Sequence, residues 1–290
     1  MSQHELDNVH AQLLARRATP PASLAEARDG YDQLCKRFPP PAGCTSTPSA
    51  LGGVPVRVVG PPSATRALLY AHGGGFMVGS AEGFAGVAGT LAAAASATAY
   101  VVDYRRAPEH PSPAAEDDVL TAYEALLNSH NAAEVVLVGD SAGAYLLVRS
   151  LIKAKAKGIP LPGCVVLFSP WIDLELSGAS VQAKACLDPF LSADKLKAST
   201  SAYLAATCQD PYTICEGDLR GFPVLLIQVG ENEILLDDAC TLARIAGAAG
   251  VHVRLEVWPQ MFHVWHLFAP QLSAARKALT DAADFIDKSI

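Results

Sequence analysis

The chain has 290 residues, half of them apolar and only 18% charged, with a net charge of −7. A disordered chain pairs low hydrophobicity with high net charge, so this composition excludes disorder as the main state, and the length is within reach of one α/β domain. The acidic balance also argues against a nucleic-acid binder, which needs a basic surface to meet phosphates.

The N-terminus, Met-Ser-Gln-His-Glu-Leu-Asp, has neither a basic nor an apolar signal region. No stretch reaches the roughly 18 apolar residues that span a bilayer. A cytoplasmic protein without membrane or nucleic-acid partners is therefore expected. Seven scattered cysteines form no CxxC pair and read as reduced thiols. Residues 3–17 space Leu6, Val9, Leu13 and Leu14 at a helical period, and Pro20, Pro21, Pro39, Pro40 and Pro41 then cut the segment into short pieces. From Val54 a regular alternation begins. Strand-like runs cover 54–59, 67–71, 99–102, 135–138, 164–168, 224–229 and 251–257, and helix-like segments cover 83–95, 115–128, 142–156, 237–249 and 271–288. Several of the strand-like runs are continuously apolar, which suits strands covered on both faces. The alternation predicts an α/β fold with a mostly parallel sheet between helices. Residues 172–220 break the rhythm with Pro189, Pro211 and Gly217, and read as an insertion of short helices.

Gly139-Asp140-Ser141-Ala142-Gly143 lies between the apolar run 135–138 and a helical pattern. In that context G-x-S-x-G is a sharp turn that exposes a serine nucleophile above a helix N-terminus. Upstream, His72-Gly73-Gly74-Gly75 follows another strand-like run. Consecutive glycines leave backbone N–H groups open to a developing oxyanion. No phosphate-loop pattern is completed there, and His72 reads as a structural residue that fixes the loop. The serine needs a base. Among eight histidines, His263 and His266 follow the last strand-like run, on the sheet edge that also carries the serine turn. His263 comes first and is the better candidate, with His266 packing near the final helix. An H-x-x-H metal site would need further ligands that the spacing does not offer. For the acid that orients the imidazole, the loop after 224–229 offers Glu231 and Glu233, which position alone does not separate. Asp237 and Asp238 read as helix-capping residues. The imidazole is expected to titrate within about one unit of 6.5, as carboxylate attraction and burial oppose each other.

These motifs resemble the hormone-sensitive-lipase-like group of α/β-hydrolases, its GDSAG branch of carboxylesterases. Asp103-Tyr104-Arg105-Arg106-Ala107-Pro108-Glu109-His110 resembles that family's D-Y-R-L-A-P-E-H box, and Ser169-Pro170-Trp171-Ile172-Asp173-Leu174 its S-P-W-x-D-L segment. The resemblance covers residues 50–290 in order. It implies the α/β-hydrolase fold, with residues 1–45 and 172–220 as a helical cap over a core of 46–171 and 221–290. It also implies Ser141, Glu233 and His263 as the catalytic triad, and the N–H groups of Gly74, Gly75 and Ala142 as the oxyanion hole. Glu233 stands where the family usually has Asp, Arg106 replaces a Leu, and Ser112 replaces an aromatic. The implied activity is hydrolysis of small carboxylic esters through an acyl-enzyme, with no cofactor and no metal. The short cap segment and 7% aromatic content point to short acyl chains. Lactones and a biosynthetic tailoring role are alternatives at the same site. A ligand-binding receptor on a hydrolase scaffold is the remote one, because such receptors lose a triad member. Family members often pair through an edge strand, which leaves a homodimer open.

Overall fold

In the computed structural model, residues 2–205, 214 and 217–290 are described. Pro211, read above as a breaker, and the thiols of Cys208 and Cys215 lie outside them. Eight strands form one sheet: β1 (Thr45–Leu51), β2 (Val54–Gly60), β3 (Arg66–Ala71), β4 (Ala97–Val102), β5 (Val135–Asp140), β6 (Cys164–Phe168), β7 (Val224–Gly230) and β8 (Val253–Trp258). Their spatial order is β1-β2-β4-β3-β5-β6-β7-β8. The strands β3 to β8 run parallel to one another, whereas β2 is antiparallel to both β1 and β4.

The continuous apolar runs have a simple cause. On β3, Leu68 joins one packed cluster and Leu69 the other, so each face of the strand is buried against helices. Helices α4 (Ala114–Leu126), α5 (Ala142–Ala156) and α8 (Leu236–Ala248) cover one face. Helices α1 (Gln3–Ala18), α3 (Ala85–Ala94) and α9 (Ser273–Ser289) cover the other. Each fully buried Leu or Val contributes roughly 1.5–3 kcal/mol relative to exposure.

Two elements escape the hydrophobic pattern. Strand β1 is exposed along almost its whole length and carries Pro48, a residue that only an edge strand tolerates. Its sequence signal is the Gly52-Gly53 pair, which closes a hairpin with β2. Helix α2 (Leu24–Lys36) forms between the proline clusters. Ser23 caps it by accepting the Glu26 N–H, and the Glu26 carboxylate accepts the Ala22 N–H. That S-x-x-E spacing resembles a capping box. Within 172–220 lie α6 (Ser180–Ala183) and α7 (Ala193–Tyr203), the short helices expected there.

The register places the site. Ala71 pairs with Gly139, Asp140 with Phe168, and Gly230 with Trp258. The C-terminal ends of β3, β5, β6, β7 and β8 therefore share one edge of the sheet. The segments that leave this edge carry His72–Gly75, Ser141, Ser169, Glu233 and His263. Ligands of open α/β sheets bind at such an edge. No described helix is long and apolar enough to cross a membrane.

Candidate active site

Ser141 links β5 to α5 with φ +52° and ψ −122°, a region that L-residues rarely occupy. Four hydrogen bonds hold the strained turn: Ser141 N–H donates to the Phe168 carbonyl at 3.0 Å, and Ala144, Tyr145 and Trp171 N–H donate to the Ser141 carbonyl at 3.1, 3.3 and 3.3 Å. Gly143 is required by close approach, since a Cβ there would collide with the carbonyl oxygen of Ala71. The first turn of α5 can therefore sit directly against the end of β3.

The glycine loop packs beside it. Gly74 and Gly75 have φ of +114° and +58°. The N–H groups of Gly74, Gly75 and Ala142 donate to no other group among the described residues. Beneath them the buried Asp140 carboxylate accepts the Gly73 N–H at 2.9 Å and the Tyr70 hydroxyl at 3.0 Å. Burial pushes that carboxyl up to about 7, against both bonds. His72 is structural, as expected. Its ring stacks on Tyr104 with centroids 4.3 Å apart, and its Nδ1 lies 2.7 Å from the Gly73 carbonyl. The Tyr104 hydroxyl donates to the His72 carbonyl at 2.7 Å.

Glu233 and His263 are both buried, with Oε2 and Nδ1 3.2 Å apart. Of the two acids left open by position, Glu233 has this contact. Glu231 is exposed, and its carboxylate accepts the Gln260 N–H at 3.0 Å. Among the described histidines, only His263 lines the cavity with Ser141. His266 turns away to Gln228 Oε1, 3.0 Å from its Nε2, and stacks on Phe168. Burial pushes the His263 imidazole down, opposed by the Asp188 carboxylate, and pushes the Glu233 carboxyl up. So dry a site disfavours charge on both partners, and the neutral imidazole prevails at neutral pH. The balance near 6.5 expected from sequence does not hold, because burial outweighs carboxylate attraction.

Four surrounding residues were not read as site residues. Ser169, at φ +46°, receives the Val264 N–H at 3.0 Å and lies beside Glu233, so it fixes the backbone next to His263. Asp188 is buried, and its carboxylate accepts three N–H groups, from Phe190 (2.8 Å), Leu191 (2.9 Å) and Ile234 (3.1 Å). It therefore ties the segment before α7 to the residue next to Glu233. Asp237 and Asp238 do not cap α8 through their side chains as expected. Asp238 accepts the N–H groups of Ile172 and Asp173, and Asp237 that of Ser180, so both clamp the chain that follows β6. Of the departures from the family pattern, Arg106 donates to the Gly79 carbonyl, and the Ser112 N–H donates to the Tyr203 carbonyl at 2.7 Å.

A cavity of about 620 Å³ opens over Ser141 and His263. Its walls come from α1, α2 and residues 189–199, besides the glycine loop. Glycine leaves only narrow clearance there, since a Cβ on Gly75 would lie 2.7 Å from the Ser199 hydroxyl of α7. Tyr203 anchors that helix. Its hydroxyl donates to the buried Glu116 carboxylate at 2.8 Å, and its ring stacks on Phe76 at 3.9 Å.

Residues 68–267 match the sequence model of a family described by its alpha/beta hydrolase fold. The chain is 42% identical over 226 residues to an acetyl-hydrolase of Streptomyces hygroscopicus, covering 76% of this chain and 75% of the relative. It is 34% identical over 263 residues to an esterase of Acinetobacter venetianus, covering 89% and 87%. Among solved structures, an esterase of the bacterial hormone-sensitive lipase family superposes with a TM-score of 0.96 at 36% identity, covering 100% of this chain and 99% of the other. A hormone-sensitive-lipase homologue from a metagenome library gives 0.92 at 36% identity, covering 98% of each chain.

Proposed function

Since the chain belongs to the α/β-hydrolase fold family, with bacterial hormone-sensitive-lipase-type esterases as its relatives, we propose that it is a serine esterase acting on small carboxylic esters through an acyl-enzyme on Ser141. One observation carries the reading: a strained, helix-capping serine shares a cavity with a buried histidine whose far nitrogen faces a carboxylate. Once Glu233 has given up its proton, which burial opposes, its carboxylate accepts the Nδ1–H of His263 and leaves Nε2 free to accept. Nε2 takes the Ser141 proton as Oγ attacks the ester carbonyl. The open N–H groups of Gly74, Gly75 and Ala142 stabilise the oxyanion, helped by the positive end of α5. Collapse expels the alcohol, protonated by His263, and water then releases the acid by the same route in reverse. Every step uses this chain, its substrate and water. Helices α1, α2, α6 and α7 act as the cap that shapes the substrate cavity, so residues 1–45 and 172–220 form the cap and the remainder the core. Short acyl chains fit this reading, since one relative is an acetyl-hydrolase.

Labelling with an aryl alkylphosphonate and mapping the peptides tests this directly. A single adduct on Ser141, with stoichiometric loss of esterase activity, is expected. An adduct elsewhere, or activity that survives full labelling of Ser141, overturns the proposal.

A further inference from the structure

The cavity is largely apolar, through Leu13, Leu24, Met77 and Phe190, yet three cations converge on it from α1 and α7: Arg16, Arg17 and Lys195. The two guanidinium groups are held in place without being neutralised. Arg16 Nη1 donates to the Gly30 carbonyl at 2.7 Å, and Arg17 Nη1 to the Asp188 carbonyl at 3.0 Å. None of the three cations enters an ion pair among the described residues. Glu26 also lines the cavity, its one carboxylate among the described residues against three cations, accepting the Ala22 N–H at 2.8 Å and pairing with none of them. The Lys195 side chain is exposed and makes no hydrogen bond among the described residues. Partial loss of water at the ammonium, together with Arg17 and Arg16 nearby, pushes its pKa down.

Like charges gathered beside apolar walls disfavour the empty protein, and a ligand that brings the opposite charge relieves that cost. We infer that Arg16, Arg17 and Lys195 form a subsite for an anionic group, so that the preferred ester carries a carboxylate or phosphate away from its scissile carbonyl. The inference rests on the serine-esterase reading above. Arginine forks match two oxygens of either anion, while lysine supplies a compact point charge. Because the protein as a whole carries a net charge of −7, attraction is confined to the cavity. Selection should therefore appear in KM.

Matched substrate pairs test this on the full chain. Mono-4-nitrophenyl glutarate against 4-nitrophenyl valerate puts the carboxylate on the acyl side, and 4-acetoxybenzoate against its methyl ester puts it on the alcohol side. Acetylated glycerol 3-phosphate against glyceryl monoacetate is the phosphate arm. In at least one pair the anionic member should have a kcat/KM about tenfold higher at low salt, with the advantage shrinking at 0.5 M NaCl as the charges are screened. Lys195→Gln should cut that anionic-to-neutral ratio about tenfold through KM, and Lys195→Arg should restore it. Neutral esters cleaved as well as or better than their anionic partners in all three pairs would overturn the subsite while leaving the esterase intact. A ratio unmoved by Lys195→Gln would overturn it equally. If no ester in any pair is cleaved, the serine-esterase reading falls, and the subsite with it.

Discussion

The floor and the roof of the cavity are built on opposite plans. The floor, made of the loops that leave β3, β5, β6, β7 and β8, is buried, glycine-rich and tightly bonded. Asp140, Ser169, Glu233 and His263 are all at most 2% exposed. The roof, from α1, α2 and α7, leaves Arg16, Arg17, Glu26 and Lys195 open to solvent. A dry, preorganised floor is what proton transfer and oxyanion stabilisation need. An open, charged roof can discriminate between substrates at little cost to the fold. On the proposed reading, the chemistry belongs to the strand ends and selection to the helices that cross above them.

The sharpest way to break that division is at the floor. Ser141→Ala is expected to reduce kcat by at least about 10⁴-fold, because the nucleophile, its base and the orienting acid act as one unit. Thermal unfolding should barely move, since alanine inherits the same backbone angles, and a mutant that keeps a few per cent of kcat would remove Ser141 from its role. Next in size, Glu233→Gln should cost on the order of 10⁴-fold in kcat by favouring the wrong tautomer of His263. Glu231→Gln should stay within about threefold, since that side chain is solvated and makes its contact with backbone. Kinetics of the two variants side by side decide between acids two residues apart.

Asp188 is where floor and roof meet. Asp188→Asn turns an amide towards one of three backbone donors and removes a negative charge near His263. A fall in kcat on the order of 10²-fold is expected from misplacement of the pair. The acid limb of the kcat/KM profile should also shift to lower pH, because the lost carboxylate had been raising the imidazole's pKa. An unshifted limb would reduce Asp188 to a loop tie. The smallest effect concerns pH in the unaltered protein. Only neutral His263 can accept a proton, and burial lowers its pKa, so the acid limb of kcat/KM should rise through a midpoint below 6.5. A midpoint above 6.5 would mean that attraction by the carboxylates dominates after all.

Much of the floor could be read in the sequence because its logic is local. Gly143 lies two residues from Ser141, and the apolar run 135–138 leads straight into the turn, so strand, elbow and helix were adjacent letters. His263 needed only the order of strands, whereas Glu233 was told from Glu231 by the family resemblance and not by position. What resisted was set by distance or exposure. Strand β1 buries almost nothing and so carries no hydrophobic rhythm, leaving only Gly52-Gly53 to announce it. Asp188 and Ile234 are 46 residues apart, and no spacing rule joins them. Asp237 and Asp238 sat at a helix start and looked like caps, yet their partners belong to residues 172–180 across the fold. The cationic group draws on α1 and α7, which only the folded chain brings together.

The Asp188 clasp bears on how such enzymes diversify. A segment that lines the cavity is fastened by its own carboxylate to the residue beside Glu233. Exchanging residues 184–203 between relatives to graft a new preference would therefore disturb turnover unless the graft keeps an aspartate at this place. Changes elsewhere in the roof should be easier to accommodate, whereas at Asp188 recognition and rate are expected to change together.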